Sequence, residues 1–236
     1  MNDARDFIEV TPDALDRASC AAIVARLRDS SALQPGRIGS GVFPDLKDSR
    51  DLGISGKPEW AQAEQAINQA VFAGLLAYLR RYPQALIAPL MLQQPGDDGA
   101  PRRLTAEDIG AMDDAALSPL ASTCLRPGAI NLQWYAAGRG GYPYWHCELY
   151  PRDPGCETLH RHLLWTLYLN DDFDAGETEF LFQQRKVVPQ AGRLLLAPAQ
   201  QAHAYQAAAG RRRTRHHRRA QLRRRLFRLG CGVQLP

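Results

Sequence analysis

Two hydrophobic patterns with different periods follow each other along the chain. Residues 58–82 carry apolar side chains at helical spacing, and those that share one face are Trp60, Ala63, Ile67, Val71, Leu75 and Tyr78. From residue 129 onward, apolar residues come in short runs that are closely spaced and separated by turn residues. The first pattern predicts a helix packed on a core, and the second predicts strands.

The front of the chain is predicted to be mainly helical. Residues 7–10 read as a short strand, and the helical spacing in residues 11–30 predicts a first helix. Thr11 would cap this helix and Pro12 would lie in its first turn, where each residue type is favoured. Residues 94–120 are polar and are predicted to form a surface excursion.

The second half of the chain is predicted to be a β-domain. Its predicted strands cover residues 129–136, 142–150, 162–170, 178–182, 186–189, 193–198 and 202–205. Short, closely spaced strands are typical of an antiparallel sandwich or barrel. We therefore divide one domain into a helical support region (1–125), a β core (126–206) and an Arg-rich tail (207–236).

Charge is distributed very unevenly along the 236 residues. The chain has 29 basic and 25 acidic residues, but ten of the basic ones are arginines within residues 211–228. Without them, 19 basic residues face 25 acidic ones, so the body is acidic and has no reason to attract phosphate. The basic character of the chain belongs to its tail.

Cysteine usage and the N-terminal residues indicate a cytoplasmic protein. The five cysteines are scattered and form no CxxC pair, which favours reduced thiols. The first residues, MNDARDFIEV, have no basic segment followed by an apolar run, so we expect no signal peptide. No apolar stretch reaches the roughly 18 residues that a membrane span needs.

The segment YWHCE, residues 144–148, carries the most informative chemistry. On a strand, alternate side chains share a face, so His146 and Glu148 are predicted to point the same way. A third ligand is needed to hold a metal, and His203 at the start of a later strand is the natural candidate. Two histidines and one carboxylate form the facial triad that binds non-haem Fe(II) and leaves coordination positions open.

At this point the chain resembles the Fe(II)- and 2-oxoglutarate-dependent oxygenases of the prolyl 4-hydroxylase-like group. The most specific part is LYLNDDFDAGETEF, followed by P-x-x-G-x-L-L-L-x-P-A and a histidine. NLQWYAAGRGGYPYWHCELYP and AHAYQ belong to the same resemblance, which covers roughly residues 7–206. It implies a double-stranded β-helix, or jelly roll, behind supporting helices.

The resemblance also implies a reaction and a set of site residues. Fe(II) would be held by His146, Glu148 and His203, and 2-oxoglutarate would be decarboxylated to succinate and CO₂ as O₂ is used to hydroxylate an unidentified substrate, such as a protein or peptide side chain. Gln133 and Tyr135 would line the pocket, with Tyr135 reaching the cosubstrate. The family's carboxylate ligand is usually Asp, so Glu148 departs from the pattern by one methylene.

A basic residue roughly ten positions after the distal histidine normally binds the far carboxylate of 2-oxoglutarate in this group. Arg211, Arg212 and Arg213 lie in that interval, and a guanidinium suits a bidentate contact. The apolar strand expected to follow is replaced by TRHHRRAQLRRR, which cannot alternate apolar and polar residues. This suggests a frameshift between about Gln206 and Arg215, in a chain whose activity would then be impaired.

Two further expectations concern the tail and the tryptophans. The alternative function is a non-catalytic β-domain whose basic tail binds RNA or an anionic surface. Trp134, Trp145 and Trp165 are expected to be core residues.

Overall fold

The computed structural model describes residues 6–151, 154–200, 203–206 and 226–234, the last two segments through their backbone. The helices are α1 (Arg17–Arg28), α2 (Ala61–Arg81), α3 (Gln84–Leu90), α4 (Ala106–Ala111) and α5 (Asp114–Cys124), with single 3₁₀ turns at Pro58–Trp60 and Glu157–His160. The strands are β1 (Glu9–Thr11), β2 (Gln34–Pro35), β3 (Arg50–Gly53), β4 (Gln93–Pro95), β5 (Pro101–Arg103), β6 (Arg126–Pro127), β7 (Asn131–Tyr135), β8 (Tyr142–His146), β9 (Arg161–Tyr168), β10 (Glu177–Phe180), β11 (Arg185–Val187), β12 (Leu194–Pro198), β13 (His203–Gln206) and β14 (Leu226–Gln234).

The strands of the described residues form two main sheets. The larger has the order β1-β12-β9-β14-β7-β3-β2, with β6 paired to β14, and the smaller has the order β11-β10-β13-β8. Strands β4 and β5 form a separate hairpin. From β7 to β14 the chain passes repeatedly between the two main sheets. The mixture of many strands and some helices predicted from the sequence is confirmed.

Helix α2 covers the outer face of the larger sheet and builds the main core. Its buried residues pack in one cluster with those of β7, β9 and β12, including the fully buried Leu132, Leu167 and Leu194. Gly74 allows this close packing, because a Cβ there would overlap the side chain of Leu194. A smaller cluster, which includes Tyr168 and Phe180, joins strands of the two sheets. No helix of the described residues is long and apolar enough to span a membrane.

The first helix begins later than predicted. Thr11 ends β1, where it pairs with Leu194 of β12, so it does not cap a helix. The cap is Asp16, whose carboxylate accepts a hydrogen bond from the Ser19 backbone N–H at 2.8 Å. The prediction at Thr11 and Pro12 was wrong because pairing with β12 extends the N-terminal strand. Residues 94–120 also contain more structure than a polar excursion, namely part of the β4–β5 hairpin and helices α4 and α5.

The end of the chain contradicts the expectation that a core strand is missing. Strand β14 lies between β9 and β7 in the larger sheet, so part of the region assigned to the tail belongs to that sheet. Its Phe227, Leu229, Cys231 and Val233 alternate with Arg228, Gly230, Gly232 and Gln234, a period of two that suits a strand. The strand comes later than the interval in which it was sought. The frameshift hypothesis falls on residues outside the described ones.

Candidate metal and cosubstrate site

His146 ends β8 and is held in a defined orientation. Its ring stacks on that of Tyr142, with centroids 3.9 Å apart and planes inclined by 17°. Its Nδ1 lies 2.8 Å from the main-chain oxygen of Tyr144. An Nδ1–H donated to this carbonyl puts the lone pair on Nε2, which is the form of imidazole that binds a metal.

His203 pairs directly with His146. The antiparallel register of β8 and β13 sets these two residues opposite each other, although they are 57 positions apart in sequence. Opposed residues of antiparallel strands have Cα atoms about 4.5–5.5 Å apart. The backbone therefore brings together the two histidines chosen from the sequence, while the side chain of His203 is outside the described atoms.

Glu148 lies beyond the end of β8, so strand alternation does not set its direction as predicted. Its backbone N–H donates to the Ala199 carbonyl at 3.0 Å. Its carboxylate Oε2 accepts from Nη1 of Arg161 at 2.5 Å. Arg161 was not singled out from the sequence, and no local signal could have found it, because the pair joins the end of β8 to the start of β9.

His146 and Glu148 line one large cavity. Its volume is about 1180 Å³, and its wall includes Gln133 and Arg161. Among the side chains that the structure describes, no group of three His, Cys, Asp or Glu residues has a spacing suited to a metal. Since the side chain of His203 is not among them, the three-residue ligand set stays a prediction.

The two residues expected to line the cosubstrate pocket have different surroundings. Gln133 lines the cavity. Tyr135 is only 1% exposed, and its hydroxyl donates to Oε1 of Gln133 at 3.0 Å. Tyr135 thus contacts a residue that lines the cavity but does not line the cavity itself.

Arg211, Arg212 and Arg213 lie outside the described residues. Arg228 is within them, through its backbone, and pairs with Gln133 of β7 and Tyr168 of β9. The sequence reasoning missed this position because it counted from His203 along the chain. The alternation of apolar and polar residues in β14 was the signal that could have found it.

A partly buried ion pair and exposed aromatic side chains also line the cavity. Lys47 is 5% exposed, and its Nζ lies 2.7 Å from Asp51 Oδ2 and 5.6 Å from the centroid of the Tyr142 ring. Tyr144 and Trp145 also line the cavity and are 50% and 37% exposed. The expectation that Trp145 is a core residue was therefore wrong, whereas Trp165, at 2% exposed, is in the core.

Comparison with known proteins gives the architecture. No family model matches the sequence, and no curated protein matches it. Among solved structures, a prolyl-4-hydroxylase from Pseudomonas putida is similar with a TM-score of 0.57 and 16% identity, over 99% of this chain and 95% of that one. A prolyl hydroxylase from Trichoplax adhaerens, solved with a hypoxia-inducible-factor peptide fragment, has a TM-score of 0.61 and 12% identity, over 98% and 84%.

The chain has the fold of the prolyl hydroxylases. A third structure with this fold, a viral collagen prolyl hydroxylase from Paramecium bursaria Chlorella virus 1 in complex with 2-oxoglutarate, has a TM-score of 0.52 and 12% identity, over 98% of each chain. At such identities the likeness establishes the fold alone, and activity must be argued from the site.

Proposed function

We propose that this protein is an Fe(II)- and 2-oxoglutarate-dependent dioxygenase that hydroxylates an organic substrate. The observation that carries the proposal is the pairing of His203 with His146 at the wall of a cavity that Glu148 also lines. Two histidines and one carboxylate are the ligand set of the non-haem iron triad, and here they occur within the prolyl hydroxylase fold.

The fold is best understood as a double-stranded β-helix. Strands β7, β9, β12 and β14 belong to the larger sheet, while β8, β10, β11 and β13 belong to the smaller one. Such passage between two facing antiparallel sheets is the jelly-roll arrangement. The smaller sheet pairs β8 with β13, which sets the backbones of His146 and His203 opposite each other.

A divalent metal fits the chemistry of these donors. The hydrogen bond of His146 favours the Nε2 lone pair, and Glu148 offers a carboxylate, so with His203 the site would supply two nitrogens and an oxygen. When bound, Fe(II) with 2-oxoglutarate and O₂ supplies the oxidising chemistry, with succinate and CO₂ as coproducts. The protein's own part is to fix ligand geometry, orient the substrate and exclude water.

Cosubstrate binding would use the polar positions of the larger sheet. Gln133 lies in the cavity wall, and the hydroxyl of Tyr135 holds its amide. We assign Arg228 to the distal carboxylate in place of Arg211, Arg212 or Arg213, because its register position is beside Gln133. A guanidinium at that position would bind a carboxylate through two hydrogen bonds.

The substrate is proposed to be a protein or peptide side chain. Support comes from the size of the cavity and from the exposed aromatic rings of Tyr144 and Trp145 at its wall, which suit an extended ligand. The four cysteines among the described side chains are free thiols, which is compatible with a cytoplasmic location. No feature of the described residues favours the alternative of a basic nucleic-acid-binding module.

The proposal is tested by following succinate formation with Fe(II), 2-oxoglutarate and O₂, with and without a peptide mixture. The wild-type chain should release succinate, and His146→Ala should abolish this release. Arg228→Gln should raise the 2-oxoglutarate concentration needed for half-maximal release. Arg185→Gln serves as a control, since Arg185 pairs with Asp6 outside the cavity. Succinate release that persists in His146→Ala would contradict the proposal.

A further inference from the structure

We propose that Arg161 is a positioning residue that clamps Glu148, so that a glutamate can serve as the carboxylate ligand of the metal. This inference rests on the proposed metal site. It concerns how the longer carboxylate side chain is held in place, which neither the sequence pattern nor the fold explains.

Arg161 contacts both ends of the Glu148 residue with one nitrogen. Its Nη1 is 2.5 Å from the carboxylate Oε2 and 3.4 Å from the main-chain oxygen of the same residue. The side chains are 19% and 26% exposed, so the pair lies partly shielded from water. Hydrogen bonds between ions are stronger than neutral ones, and this one restrains the glutamate side chain relative to its own backbone.

The backbones that carry the two residues are also joined. Glu148 donates its N–H to the Ala199 carbonyl at 3.0 Å, and Ala199 donates its N–H to the His162 carbonyl at 3.1 Å. His162 follows Arg161 in β9, which pairs with β12 and β14 on its two sides. Arg161 therefore projects from a strand fixed on both sides, and it can hold Glu148 in a reproducible position.

A glutamate needs such a clamp more than an aspartate does. Its additional methylene adds a rotatable bond, so a free glutamate spreads over more conformers and loses more freedom when it ligates a metal. An arginine that fixes the carboxylate in advance reduces that loss. Replacing a residue that orients a metal ligand typically weakens metal binding or activity by about 10- to 100-fold.

The contact does not prevent the carboxylate from binding a metal. A carboxylate has two oxygens with about four lone-pair directions, so one group can accept from Arg161 and still ligate a cation. The charge of Arg161 alone would repel a cation, and by that effect its removal would tighten metal binding. A positioning role predicts the opposite, namely that removing Arg161 weakens metal binding. The direction of the change in metal affinity therefore distinguishes positioning from charge repulsion.

The experiment titrates purified full-length chain with Co(II) without 2-oxoglutarate and follows the visible absorption bands of the bound ion. Arg161→Gln should weaken Co(II) binding by about 10- to 100-fold, the usual range for a residue that orients a metal ligand. Arg161→Lys should recover part of that loss, since an ammonium can still pair with the carboxylate. The Co(II) absorption bands of Arg161→Lys should also lie closer to those of the wild type than the bands of Arg161→Gln do. Arg185→Gln, which breaks an ion pair outside the cavity, should leave binding unchanged.

Equal or tighter Co(II) binding by Arg161→Gln would overturn the proposal, as would an Arg161→Lys variant as weak as Arg161→Gln. Circular dichroism checks that each variant is folded. If Arg161→Gln fails to fold, Arg161→Met replaces it, and wild-type Co(II) affinity in that variant overturns the proposal. His146→Ala distinguishes a wrong metal site from a wrong role for Arg161. If His146→Ala binds Co(II) as well as the wild type does, the metal site itself is misassigned. If His146→Ala loses Co(II) binding but Arg161→Gln binds normally, only the role of Arg161 is refuted.

Discussion

Strands β8 and β9 are consecutive in the chain but differ in how deeply their side chains are buried. In β9, all residues from Leu163 to Tyr168 are buried, and they contribute to both hydrophobic clusters. In β8 no residue is fully buried, and the strand carries His146, Tyr144 and Trp145 at the cavity wall. The side chains of β9 fill the hydrophobic core, whereas those of β8 face the cavity.

The largest effect on stability should come from truncation in β9. Leu167 is completely buried and pairs with Leu194 of β12 and Leu229 of β14. Leu167→Ala should lower the free energy of unfolding by about 2–5 kcal/mol, the loss usual when a buried leucine leaves a cavity. Urea denaturation measures it. Leu181→Ala, at a side chain 43% exposed beside the smaller sheet, is the matched control and should cost less than about 0.5 kcal/mol. Equal losses of unfolding free energy in the two variants would contradict the view that the larger sheet carries more of the stability than the smaller one.

Much of this contrast could be predicted from the sequence, because it depends on local periodicity. The predicted strands between residues 129 and 205 correspond to β7–β13, and the long apolar face predicted for residues 58–82 is that of α2. The pairing of His146 with His203 was reachable by a chemical argument about ligand types. Each of these features is determined by residues that are close in sequence or by the chemistry of the donor set.

Features that depend on tertiary pairing could not be predicted in the same way. Thr11 becomes part of a strand only because Leu194 lies opposite it. Arg161 meets Glu148 only because Ala199 connects the end of β8 to the start of β9. The strand β14 had a local signal, but the arginines before it dominated the composition of the tail.

The second-largest loss of stability should come from a substitution in the turn that leads into the core strand β12. Gly192 has a φ of +84°, and a Cβ there would overlap the main-chain oxygen of Leu15. Its carbonyl also accepts a hydrogen bond from the Leu15 N–H at 3.2 Å. Gly192→Ala should therefore destabilise the chain by about 1–3 kcal/mol through backbone strain. Gly56→Ala, also at positive φ (+72°) but with no atom near the added Cβ, isolates the cost of the backbone conformation alone. A loss no larger in Gly192→Ala would show that the overlap is relieved without cost.

A smaller effect depends on pH. Asp171 accepts hydrogen bonds from Arg17 at 2.8 Å and from the Ala191 N–H at 3.2 Å. The bond from Arg17 is the main reason that the pKa of Asp171 lies below its ordinary 3.8. Its stabilisation is therefore complete above about pH 4 and is lost as the pH falls through the lowered pKa of the folded state. Asp171→Asn should be slightly less stable than the wild type at pH 7, and the difference should shrink in acid. A difference that persists unchanged at low pH would contradict this, as judged from urea denaturation across a pH series.

The smallest effect on stability should come from His146, the residue that we propose matters most for metal binding. His146 is partly exposed on a strand with no fully buried side chain, and its ring contacts include the stack on Tyr142 and the bond to the Tyr144 carbonyl. His146→Ala should change the free energy of unfolding by no more than about 0.5 kcal/mol in metal-free buffer, the usual limit for a substitution away from the core. In the wild type, a saturating divalent metal should raise stability through its preference for the folded state, and His146→Ala should lose that increment. Thermal melts with and without Co(II) measure both quantities. A large loss of stability without metal would mean that β8, like β9, contributes mainly to stability. The contrast drawn between the two strands would then be wrong.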